Sequence, residues 1–105
     1  MSYTWPNKDP DEIIDYSVDW SRFLGSETIS SVRWFIKDAD GNKEEASDAE
    51  VINGLQFVTG TISGQVVTAR FSLGTNNVKY TVVCQITTAG ALQYERSIFL
   101  RVKEK

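Results

Sequence analysis

The carboxylates come first, because paired acids are the one catalytic device this composition leaves open. The chain of 105 residues has no histidine and a single cysteine. Histidine triads, histidine metal sites and histidine pH switches are therefore excluded. The densest acidic stretch holds Asp9, Asp11, Glu12, Asp15 and Asp19. Asp15 and Asp19 share one face of an alternating segment, four residues apart, which at strand rise separates them by roughly 13 Å. Carboxylates that work together on a glycosidic bond stand about 5–9.5 Å apart. A solvated outer face is the reading that spacing supports.

Asp38, Asp40 and Asn42 match the first half of a calcium loop, D-x-[DN]-x-[DN]. That motif needs glycine directly after its third ligand and glutamate at its twelfth position. Lys43 and Ala49 stand there instead, so a polar loop is expected and no metal. Serines and threonines are plentiful but lack an activating base. Cys84 alternates inward, which suits a small apolar core residue better than a nucleophile. No glycine pattern follows a strand and opens a helix to cradle phosphate. No catalytic residue and no cofactor are expected, and an enzyme is not.

The elements that would hold any site are strands. Val, Ile and Thr number 27 against 12 for Leu, Ala and Met, which favours strands over helices. Residues 12–20 alternate, with Ile14, Tyr16, Val18 and Trp20 on one face. Residues 21–25 read as a tight turn stopped by Gly25. In residues 28–37, Val32, Trp34 and Ile36 share a face and Ile29 is out of phase, the mark of a bulge. Residues 38–49 have no apolar period and read as an exposed loop or hairpin tip around Asp40-Gly41.

Residues 50–58 and 60–64 read as short strands broken at glycines. Residues 65–73 place Val67, Ala69, Phe71 and Leu73 together. Residues 78–87 place Val78, Tyr80, Val82, Cys84 and Ile86 inward. Residues 92–102 place Leu92, Tyr94, Ile98, Leu100 and Val102 on one face, with Arg96 a polar intruder. About seven strands with turns every 8–12 residues predict an antiparallel two-sheet β-sandwich over residues 12–105. Tyr80-x-Val-x-Cys84 resembles an immunoglobulin F strand, although a tyrosine corner wants its tyrosine two residues before that position.

Residues 1–11 read as an extended N-terminal arm, since Pro6 and Pro10 disfavour helix and remove backbone donors. Trp5 rides on this arm, either anchoring on a neighbouring subunit or packing at home. Net charge is −3 with no basic run, so nucleic acid is not an expected partner. No apolar run approaches the ~20 residues that span a membrane, so a membrane is not expected either. No charged n-region with an apolar h-region follows Met1, and the lone cysteine suits synthesis in a reducing cytoplasm.

Lys8-Asp9-Pro10-Asp11-Glu12, then Asp15-Tyr16 and Asp19-Trp20, reads KDPDExxDYxxDW. With Thr28-Ile29-Ser30-Ser31, Trp34 and Ile86-Thr87-Thr88-Ala89-Gly90, it resembles small tailed-bacteriophage virion proteins of the fiber–tail adaptor or head–tail accessory type. The likeness covers roughly residues 3–34 and 78–102. It implies an immunoglobulin-like β-sandwich in the virion, made in the bacterial host cytoplasm and carried in multiple copies. Its partners would be other phage structural proteins of the tail, connector or fiber. Tyr3 and Trp5 of the arm, with Asp38, Asp40 and Asn42 of the loop, are the expected partner contacts. Deleting residues 1–7 would then weaken attachment and leave the fold intact. The competing reading is a β-sandwich module that binds carbohydrate or a cell-surface partner, which an exposed aromatic cluster would favour.

Overall fold

Alternating strands bury one face each, and here two sheets bury theirs against each other. The computed structural model describes residues 2–38 and 40–104, with the side chains of Ser2 and Tyr3 outside that description. The strands are β1 (Ser2–Thr4), β2 (Ile14–Asp19), β3 (Ile29–Lys37), β4 (Lys43–Glu45) and β5 (Glu50–Ile52). They continue with β6 (Leu55–Ser63), β7 (Val66–Leu73), β8 (Val78–Thr88) and β9 (Gln93–Val102). A single helical turn, α1 (Ser21–Leu24), joins β2 to β3 and ends at Gly25, whose φ of 63° suits glycine.

One sheet runs β1-β9-β8-β3-β4 and the other β2-β7-β6-β5. The order β9-β8-β3-β4 is that of immunoglobulin strands G-F-C-C′, and β2-β7-β6 is that of B-E-D. The pairings are antiparallel except β1 on β9, which is parallel. The radius of gyration is 13.4 Å, the compact value for this length.

Two strands more than the spacing suggests are present. They are β1, inside the arm, and β4, inside the 38–49 loop. The bulge expected in β3 lies between Ile29 and Ser31. A second one shifts β6 against β7 between Phe57 and Thr59. Gly60 does not break β6. A Cβ there would stand 2.8 Å from the Trp34 indole nitrogen, so glycine lets strand and ring approach.

The core gathers Tyr16 and Val18 of β2 and Trp20 just after it with Trp34, Cys84 and Ile98 of the other sheet. Two expected inward residues are instead exposed, Leu73 and Leu92. Leu73 has φ 60°, which turns its side chain out of the strand's alternation. Leu92 stands in the turn before β9. Arg96 keeps its inward phase by lying 4.3 Å above the Trp20 ring.

Candidate functional site

The acidic stretch is consumed locally. Asp15 receives both the Nε and Nη2 donors of Arg70 across β2 and β7, at 2.8 and 3.2 Å. That guanidinium holds the Asp15 carboxyl below the usual carboxylate range. Asp19 accepts the Ser21 N–H at 2.9 Å, and this hydrogen bond lowers its carboxyl as well. Asp9 and Glu12 close a turn: the Asp9 N–H donates to Glu12 Oε1 and the Glu12 N–H to the Asp9 carbonyl. No pair converges on an open cleft, and no group of three metal-ligating side chains exists among the described residues.

The KDPDE motif is a clasp. Lys8 is fully buried, and its ammonium donates to the carbonyls of Leu73 at 2.6 Å and Asp9 at 2.9 Å. Its backbone N–H donates to Arg101 O, and its carbonyl accepts from Lys103 N–H. One residue thus ties the arm to the ends of β7 and β9 and steadies the left-handed Leu73. The alternation argument could not find this, because a lysine in a proline-flanked arm reads as solvated.

The arm's contact residues separate. Trp5 is 8% exposed and stacks on Tyr16 at 4.8 Å between ring centroids. Its indole nitrogen donates to Ser17 O at 3.2 Å, and Tyr16 Oη donates to Pro6 O at 2.9 Å. Burial pushes the Tyr16 hydroxyl up to about 12, with the Glu12 charge adding to it. Of the two placements open to this ring, on a neighbour or at home, it takes the second, because the parallel β1–β9 pairing delivers it between the sheets. Tyr3 pairs with Ile98 through its backbone, and its side chain lies outside the described residues.

Asp38, Asp40 and Asn42 sit together at the tip of the β3–β4 hairpin. The Asp38 carboxylate accepts the N–H groups of Asp40 and Asn42, both at 2.9 Å, so it shapes the turn. Asp40 and Asn42 are exposed.

Tyr80 forms the corner that its spacing argued against. Its hydroxyl accepts the Thr75 N–H at 2.9 Å and donates to Asn53 O at 2.8 Å. The corner is placed by distance from the β7–β8 turn. With no disulfide to anchor it, Cys84 is a poor reference point. Burial pushes the Cys84 thiol up to about 12, which suits a core residue.

The outer face of the β9-β8-β3-β4 sheet is unusual in burying apolar side chains on its solvent side. Phe35 is 7% exposed and Val83 2%, paired across β3 and β8. Long cations roof them. The Lys43 ammonium lies 4.6 Å from the Phe35 ring centre and reaches Glu95 at 2.8 Å. Arg33 lies 5.2 Å from that ring and grips both oxygens of Glu45. Lys79 stands 4.1 Å over Phe99. Exposed ion pairs of this kind contribute little each, so the stems' cover of apolar surface matters more. Sequence reasoning missed this face.

The molecule is a two-layer body with a cation-roofed outer face. No curated protein matches the chain. A family model, podophage GP4 fiber-tail adaptor protein gp77, matches residues 8–101. That span takes in Lys8, the strands from β2 onward and the tyrosine corner, so the chain belongs to this family of phage fiber–tail adaptor proteins, structural components of the virion.

Proposed function

We propose that the protein links the phage tail or connector to a fiber or a neighbouring ring by protein–protein contacts alone, in several copies per particle. The family match over residues 8–101 carries this reading. The fold supports it. A sandwich with a sealed core offers loops and strand edges on a stiff scaffold, which is what a passive joint requires. The protein is made in the host cytoplasm and works on the particle, without a cofactor and without catalysis.

Asp40 and Asn42 at the hairpin tip, positioned by Asp38, are the contacts we assign to one partner. The arm contributes through its outer backbone near Tyr3, and Trp5 acts indirectly by holding that strand in place. The carbohydrate alternative loses its platform. Trp20 and Trp34 are core residues, and exposed Phe23 meets Tyr94 edge-on at 4.6 Å, so these rings offer no flat stacking platform among the described residues.

The test is a phage carrying a deletion of this gene, imaged by electron microscopy and then supplied with purified protein. Fiberless tails that regain fibers support the proposal. Particles with a full set of fibers in the absence of the protein would overturn it.

A further inference from the structure

The roofed face carries four cations in two directly opposed pairs. The strand register sets Lys43 opposite Lys37 across β4 and β3, and Lys79 opposite Arg101 across β8 and β9. Their neighbours Ile36, Tyr80 and Val102 are buried, so Lys37, Lys79 and Arg101 point to the solvent side, where Lys43 lies over Phe35. Like charges directly opposite each other destabilise a sheet. On the other sheet the chain opposes unlike charges, as in Asp15–Arg70. Among the described residues, Lys37, Lys79 and Arg101 have no carboxylate within 4.0 Å.

The charge is also segregated. Arg33, Lys37, Lys43, Lys79 and Arg101 share this face with only Glu45 and Glu95, giving it +3. The other described residues carry five cations and twelve carboxylates, a balance of −7. Beside the Lys79–Arg101 pair lies Phe99, opposite Thr81 of β8 and half-buried under Lys79. Lys43 is met by Glu95 and lies over Phe35, and Lys79 lies over Phe99, but the charges of Lys37, Lys79 and Arg101 are met by no carboxylate within 4.0 Å among the described residues. They gain a purpose when an outside anion enters.

We propose that this face is the docking surface for an acidic protein surface on another component of the tail. Carboxylates of the partner enter the Lys37–Lys43 and Lys79–Arg101 pairs, and its apolar atoms settle on Phe99. The inference rests on the adaptor reading and names the chemistry of the partner. A phosphate backbone fits less well, since Glu45 and Glu95 stand on the same face, beside the apolar Phe99 ring.

The experiment adds purified full-length protein to particles from the gene-deleted phage and measures bound protein by sedimentation, from about 50 to about 300 mM salt. Wild type should bind, with affinity falling as salt rises. Lys79→Glu/Arg101→Glu should weaken binding on the order of 100-fold, because like charges then face the partner. The milder Lys79→Gln/Arg101→Gln should weaken binding about 10-fold while raising or preserving the urea midpoint, since it relieves the opposed pair. Asp15→Asn on the opposite sheet should bind as wild type does. Undiminished binding of the Glu variant, or binding indifferent to salt, would overturn this inference and leave the adaptor reading standing. Failure of wild type to bind at all would overturn both. So would a different occupant overturn the inference: tighter binding to a short DNA duplex than to particles, or self-association that the Glu variant abolishes while particle binding survives.

Discussion

Tyr80→Phe isolates one oxygen atom. The ring stays 1% exposed in the core, and only the hydroxyl that joins Thr75 to Asn53 is lost. Each of its hydrogen bonds is worth about 1 kcal/mol net, and an unpaired buried partner costs about 1–3 kcal/mol. The two backbone groups lie in turns that are only partly buried, which puts the expected loss near 2 kcal/mol. In a domain of this size each kcal/mol moves Tm by about 4–8 °C, so the midpoint should fall by about 8–16 °C. Urea denaturation checks this, with a lower midpoint at unchanged slope. Tyr94→Phe is the control. The Tyr94 hydroxyl makes no hydrogen bond among the described residues, so that variant should stay within about 0.5 kcal/mol of wild type. Equal losses for the two variants would refute the corner as a source of stability.

Trp5→Ala should cost about 3–5 kcal/mol, as for other buried tryptophans, and deleting residues 1–7 at least as much. A urea midpoint that barely moves would place the ring outside the core. Gly60→Val should cost about 1–3 kcal/mol, because its Cβ would stand 2.8 Å from the Trp34 indole nitrogen; differential scanning calorimetry reads this directly. Cys84 should resist an aromatic disulfide reagent at pH 8 in the native state and react promptly in urea, since burial keeps the thiol protonated up to about 12. Asp15 and Glu45 titrate lower folded than unfolded, each chiefly through its arginine hydrogen bond. Their contribution is present above the unfolded value near pH 4 and is lost as pH falls through the lowered folded values, so Asp15→Asn/Glu45→Gln should flatten the acid limb of the pH–stability curve.

Strands with a regular inward and outward alternation were legible. The alternation of β2 and β8 gives their buried faces, because a period of two survives wherever one side is wet. The arm was not, because prolines hide a strand whose partner is β9, at the far end of the chain. Gly60 reads as a break, and its value appears only once Trp34 lies against it. Leu73 fits the pattern by position and leaves it through a backbone angle that Lys8 helps to hold. The hairpin tip was found as a polar turn. The basic face was invisible, since Lys37, Lys43, Lys79 and Arg101 are scattered along the chain and meet only through strand register.

The pairing of β1 with β9 also sets a timetable. A chain still on the ribosome has its opening strand and its Trp5 ring long before β9 exists to receive them. Until then β8 shows one bare edge, and the tryptophan has half a home. Closure therefore comes as one late event, dominated by distant pairing and correspondingly slow. Overproduction should thus lose material as nascent chains that stick by their open edges, while molecules that have closed stay apart.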